Sequence, residues 1–138
     1  MKIATFGVFD IIHAGHVKFL ERCKKISKNA ELIVVLARDS TVLKDKGKKP
    51  LTPEEQRKYI VESLKPVDKA ILGNESSDRL SIVEEIKPDI IVLGHDQGWD
   101  EKELEQELKK RMLKVKVFRL KKYGNINSTS IKNKIKFN

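Results

Sequence analysis

Apolar residues along the chain follow two rhythms that take turns. Ile3 to Phe9 reads as a buried strand, and Leu32-Ile33-Val34-Val35-Leu36-Ala37 is a continuous apolar run of strand length. Continuous runs are what parallel strands covered on both faces require. Ala70-Ile71-Leu72 and Ile90-Ile91-Val92-Leu93 are shorter versions, closing near Gly73 and Gly94. Val115, Val117 and Phe118 interleave with Lys114, Lys116 and Arg119, which predicts a fifth strand at a sheet edge.

The segments between carry helical spacing. Phe19, Leu20, Cys23 and Ile26 define one apolar face. Thr52-Pro53-Glu54-Glu55 predicts an N-cap, a proline at the first helical position and acid in the first turn, ahead of Ile60, Val61 and Leu64. Leu80, Val83 and Ile86 mark a helix ending before Pro88. Leu104, Leu108 and Met112 mark another, and Ile131 with Ile135 a short last one. Strand–helix alternation without a linker or repeat predicts one α/β domain over residues 1–138. Its sheet is mostly parallel and five-stranded, with helices on both faces. Ligands of such sheets sit beyond the carboxyl ends of the strands.

Composition narrows the partners. The 138 residues are 39% hydrophobic and 36% charged, with a net charge of +9, so an anionic partner is expected. Only 6% are aromatic, which speaks against a binder that stacks single-stranded bases. No apolar run reaches the ~18 residues of a membrane span and no signal pattern opens the chain, so a cytoplasmic protein is expected. One cysteine, Cys23, excludes an internal disulfide framework. It sits on the first helical stripe, where packing is its expected role.

The chemistry concentrates where the first strand runs into the first helix: Gly7-Val8-Phe9-Asp10-Ile11-Ile12-His13-Ala14-Gly15-His16. A glycine permits close approach, and a helix N-terminus offers unpaired N–H groups to a phosphate. His13 and His16, three apart, can face one anion. From the residues alone, a metal-ligand pair and two capping histidines are equally open readings.

Gly7-x-Phe9-Asp10-x-x-His13-x-Gly15-His16, with Ile126-Asn127-Ser128-Thr129-Ser130 near the C-terminus, resembles the two signatures of the HxGH nucleotidylyltransferases, a Rossmann-like superfamily. Within it the chain is most similar to the archaeal FAD synthases. The matches are Ala37-Arg38-Asp39-Ser40, Pro53-Glu54-Glu55-Gln56-Arg57, Lys65-Pro66-Val67-Asp68-Lys69-Ala70, Lys87-Pro88-Asp89-Ile90-Ile91, Gly94-His95-Asp96-Gln97 and Leu120-Lys121-Lys122-Tyr123. The resemblance implies adenylyl transfer from ATP to FMN, giving FAD and pyrophosphate. The alternative is a CTP-dependent cytidylyltransferase acting on glycerol 3-phosphate or a related phospho-alcohol. Its Arg-Thr-x-Gly-Ile-Ser run is replaced here by Lys122-Tyr123-Gly124-Asn125-Ile126-Asn127. A remote alternative is a small basic RNA-binding protein, which leaves the histidine motif unexplained.

The resemblance implies catalytic roles for His13, His16 and a lysine, Lys44 or Lys46, in a loop after the second strand. It implies nucleotide contacts for Val8, Phe9, His13, Ala14, Gly15, His16, Asp96, Tyr123, Ser128 and Thr129. A divalent cation, Mg²⁺ or Mn²⁺, would ride in with the nucleotide, and no metal-ligating residue is named. The implied partners are ATP, or CTP, and FMN, with no stable nucleic-acid partner and a homodimer as the frequent state of relatives. Bland readings stand beside these. Asp96 would otherwise cap the next helix, Ser128 and Thr129 cap the last one, Tyr123 is a surface aromatic, and Trp99 is packing. Arg57 is open between phosphate ligand and helix stabiliser.

Overall fold

A computed structural model describes residues 1–121. Its elements run β1 (Lys2–Gly7), α1 (Ala14–Lys24), β2 (Glu31–Leu36), α2 (Asp39–Lys46), α3 (Glu54–Glu62), β3 (Lys69–Leu72), α4 (Ser81–Ile86), β4 (Ile90–Leu93), α5 (Glu101–Lys110) and β5 (Lys116–Arg119). The five strands form one sheet in the order β3-β2-β1-β4-β5, and every pairing is parallel. The α/β, Rossmann-like architecture expected from the sequence is therefore present, with β5 at an edge.

Period-two alternation sends neighbouring side chains to opposite faces. Ile3, Leu32, Val34, Ile90 and Val92 pack on one face with Leu20 and Cys23 of α1 and Val61 of α3. Ala4, Ile33, Val35, Ile91 and Leu93 pack on the other with Ile82, Val83 and Ile86 of α4 and Leu104 and Leu108 of α5. Both faces are covered, which is why β2 and β4 read as unbroken apolar runs. Thr5 is the polar intruder, with no exposed surface, and its hydroxyl donates to Val92 O at 2.7 Å, so the group is satisfied.

Several local expectations change. β1 stops at Gly7 rather than Phe9, because Phe9 turns with φ of 52°. Ile26 lies past the α1 cap at Lys25, and Met112 lies past α5 with φ of 64° and 94% exposure. Hydrophobic spacing continues through a helix end when the turn happens to carry an apolar residue. On α3, Val61 is buried and Leu64 packs against the core just beyond the helix, whereas Ile60 faces out. Thr52 is not the cap of α3. That place falls to Pro53, whose ψ of 152° is not helical. The first-turn amide of Glu54 is met instead by Asp39 Oδ2 at 3.2 Å, while Glu54 Oε1 accepts from Asp39 N at 2.8 Å. The starts of α2 and α3 thus cap each other. The loop expected to carry Lys44 and Lys46 is also corrected. It is the helix α2, which ends in a left-handed Gly47 (φ 75°) and buries only Val42. The short helix read from Ile131 and Ile135 lies outside the described residues.

Candidate active site

The chain leaves β1 for β2 on one side and later returns to β4 on the other. The crevice between β1 and β4 is thus the switch point where α/β sheets hold ligands. The β1–α1 turn walls it on one side and the loop from Gly94 to Asp100 on the other.

His13 is the N-cap of α1, in extended conformation, and its Nδ1 accepts the Gly15 amide at 3.0 Å. His16 Nδ1 accepts the His13 amide at 3.2 Å. The two rings stack with centroids 3.9 Å apart and planes 28° apart. A ring nitrogen that accepts carries no hydrogen, so each neutral imidazole holds its proton on Nε2. The reciprocal cap therefore sets the tautomer as well as the ring position. His13 Nε2 is buried and, among the described residues, has no partner. Burial lowers the His13 pKa. Burial also pushes His16 down to about 4, helped by His13 and opposed by the charge of Asp96. Both rings are neutral donors at pH 7.

The turn beneath them is tightly packed. A Cβ at Gly7 would meet Phe9 Cε2 at 2.6 Å, so glycine is required where the Phe9 ring folds under the strand end. Phe9, only 6% exposed, also lies beside His16 with centroids 5.3 Å apart. Asp10 is nearly buried and accepts the amides of Leu51 and Thr52 at 2.9 and 2.8 Å. Arg57 has no exposed surface. Its guanidinium donates to Thr52 O (2.9 Å), Val8 O (2.8 Å), Ala37 O (2.9 Å) and Asp39 Oδ1 (2.6 Å). It ties together the ends of β1 and β2, and four of its five N–H donors are bonded to the protein, with no surface exposed to a phosphate.

Across the crevice, Gln97 Nε2 donates to Phe6 O at 2.7 Å and Gln97 Oε1 accepts from Gly94 N at 2.9 Å. Trp99 packs edge-on to Phe6, with centroids 5.8 Å apart, which is the packing role. Asp96 is exposed, and its charge opposes the lowering of the His16 pKa. It is not the cap of α5, since Asp100 holds that position. In the sequence Arg119 stands only as a polar position of the edge strand. It donates to the carbonyl oxygens of Gly94 and Gln97, both at 2.8 Å, and of Trp99, and pairs with Glu101 at 2.6 Å.

The structure therefore brings together Val8, Phe9, His13, Ala14, Gly15 and His16 on one wall and Asp96 on the other. Lys44 and Lys46 are exposed on α2, which follows the carboxyl end of β2. Tyr123, Ser128 and Thr129 lie outside the described residues. Cys23 has no exposed surface and its thiol is pushed up to about 12 by burial, in keeping with packing. Among the described residues no group of three His, Cys, Asp or Glu side chains could hold a metal ion, and no helix is long and apolar enough to cross a membrane.

Known proteins resemble this chain along most of its sequence. Residues 4–134 match the cytidylyltransferase-like family. An FAD synthase of Aciduliprofundum boonei is 54% identical over 91% of this chain and 81% of its own length. An FAD synthase of Archaeoglobus profundus is 52% identical over 88% of this chain and 75% of its own. The crystal structure of a Thermoplasma volcanium protein described as a lipopolysaccharide core biosynthesis protein superposes with a TM-score of 0.83. It is 45% identical and covers 90% of this chain and 98% of its own.

Proposed function

The chain belongs to the cytidylyltransferase-like family, and from that premise we propose that it is an FMN adenylyltransferase, an FAD synthase. A phosphate oxygen of FMN attacks the α-phosphorus of ATP. The new P–O bond forms in line with the one that breaks, and the electron pair of the breaking bond leaves on pyrophosphate. The nucleophile is already an anion, so no general base is needed. Catalysis reduces to alignment and to neutralising charge on the α-phosphate and the leaving group.

The observation that carries this reading is the stacked pair of neutral imidazoles at the start of α1, each with Nδ1 engaged by a backbone amide. His13 and His16 Nε2–H donate to the α- and β-phosphate oxygens, and the amide end of α1 adds its positive dipole. Each such donor is worth roughly 10²–10³ in rate. Asp96, facing across the crevice, accepts from the ribose hydroxyls. Val8, Phe9, Ala14 and Gly15 shape the floor on which the phosphates lie. Lys44 or Lys46 reaches the triphosphate from α2, and Tyr123, Ser128 and Thr129 close the nucleotide from the last segment. A divalent cation, Mg²⁺ or Mn²⁺, would enter with the nucleotide substrate, whose phosphate oxygens would hold it. The chain works as a single nucleotidyltransferase domain over residues 1–138, in the cytoplasm.

The test is product identification. The protein is incubated with FMN or glycerol 3-phosphate, each with ATP or CTP and Mg²⁺, and products are separated by chromatography with mass detection. FAD and pyrophosphate from FMN and ATP are expected. Turnover confined to CTP and glycerol 3-phosphate would establish the cytidylyltransferase reading instead.

A further inference from the structure

The six-residue loop Gly94–Trp99 carries Asp96, yet no regular ladder holds its shape. Its backbone is gathered from within by one side chain. Arg119, at the last position of the edge strand, sends Nη1 to the carbonyls of Gly94 and Gln97 and Nη2 to that of Trp99. Its Nε pairs with Glu101 in the first turn of α5. The loop's first, fourth and last carbonyls therefore converge on one planar cation, which only a guanidinium can serve, because its donors point in fixed directions within a plane. Gln97 pins the same loop to the end of β1 through Phe6 O. Leu120 N, the next amide, donates to Leu93 O at 3.0 Å and fixes the base of the clamp against β4. These bonds fix the backbone on either side of Asp96, whose charge acts on His16.

We infer that Arg119 is a positioning residue for the nucleoside half of the substrate: it touches no substrate atom and sets the affinity for ATP by holding the Gly94–Trp99 loop in its binding shape. The inference rests on the reading of Asp96 as the ribose contact, and its test keeps the two separable. Steady-state kinetics are measured for Arg119→Met, Arg119→Lys, Asp96→Ala, the Arg119→Met/Asp96→Ala double variant and Glu101→Gln, with circular dichroism melts alongside.

Arg119→Met is expected to raise KM for ATP about tenfold to fiftyfold, with kcat within threefold and KM for FMN within twofold. Arg119→Lys, which retains charge but not the fork, falls between it and wild type. The double variant should be no more than about twice as impaired as the worse single one, because both changes remove the same contact. Glu101→Gln keeps the three carbonyl bonds and should shift KM less than threefold. An unchanged ATP KM in Arg119→Met overturns the inference. So does full multiplication of the two single effects in the double variant. Equal damage from Glu101→Gln also overturns it, since that result places the effect in the anchoring of α5. If Asp96→Ala leaves ATP KM unchanged while Arg119→Met raises it, the role of Arg119 stands through the loop backbone and the reading of Asp96 falls. Should Arg119→Met fail to fold, Arg119→Lys carries the same comparison, and a wild-type ATP KM in it overturns the inference.

Discussion

Replacing Arg57 by Met keeps the apolar stem of the side chain and deletes its donors, so it isolates what the buried guanidinium contributes. Three carbonyl oxygens, of Val8, Ala37 and Thr52, lose their donor, and Asp39 loses an ion pair. Each buried acceptor left unmet costs about 1–3 kcal/mol. Asp39 keeps its bond from Glu54 N and is a quarter exposed, so it is not stranded. Val8 and Ala37 lie at the crevice end of the sheet, where water can reach part of the gap. A loss of about 3–5 kcal/mol is the expected outcome, the range for breaking a buried pair from one side. That is a large share of the roughly 5–15 kcal/mol that holds a domain of this kind together. Urea unfolding followed by circular dichroism at pH 7.5 reads it as a lower midpoint at unchanged slope. Arg57→Lys should recover part of the loss, since an ammonium cannot meet four acceptors spread around a plane. Its thermal stabilisation by MgATP should match that of wild type, because Arg57 has no exposed surface to offer a phosphate. A loss below about 1 kcal/mol for Arg57→Met would refute the reasoning and show that desolvating the cation cancels what its bonds contribute.

Three further outcomes follow from the site. His13→Ala and His16→Ala should each lower kcat by about 10²–10³, and His13→Ala should also cost about 1 kcal/mol of stability as a lost helix cap, read by turnover and urea titration together. Near-wild-type kcat in either variant removes that residue from the chemistry. The low pKa of His16 has a defined sign: between about pH 4 and 6.5 the unfolded chain takes up a proton that the folded one refuses. Stability should therefore fall as pH drops through that window and be flat above it, and His16→Asn should flatten the slope. Cys23, with no exposed surface and a thiol pushed up to about 12, should react with an aromatic disulfide reagent only at the rate of unfolding; rapid labelling of the native protein would contradict its burial.

How much of this was legible in the sequence depended on the range over which each residue acts. β2 and β4 announced themselves because both faces of the sheet are covered, and the β1–α1 turn did so because its glycines and histidines act within ten residues of one another. α2 was missed because it buries only Val42 and its lysines read as a solvated loop, although Asp39 and Gly47 stood at its two ends. Thr52 looked like a cap by local chemistry, but Asp10 takes its amide and Asp39 takes the Glu54 amide. Ile60 and Met112 fitted a helical spacing that carries no information about where a helix ends or which flank faces the core. Arg57 and Arg119 bind main-chain carbonyls, which every residue possesses, so no pairing pattern points to them. Asp96 entered through family resemblance and through no spacing rule.

The position of β1 bears on how the chain folds as it is made. β1 is the first of the described strands to leave the ribosome and the one that ends at the centre of the sheet, bonded to β2 on one side and β4 on the other. Its β2 partner follows soon, but β4 lies about 80 residues further on, a wait of roughly 4–16 s at the usual 5–20 residues per second of translation. Throughout that interval the β4 side of β1 presents unpaired amides and carbonyls along Ile3, Ala4 and Thr5, an open template for another nascent chain. The same crossover that creates the substrate crevice thus leaves the central strand half-paired during synthesis. Slower translation between β3 and β4 would lengthen the period in which neighbouring chains can aggregate through it.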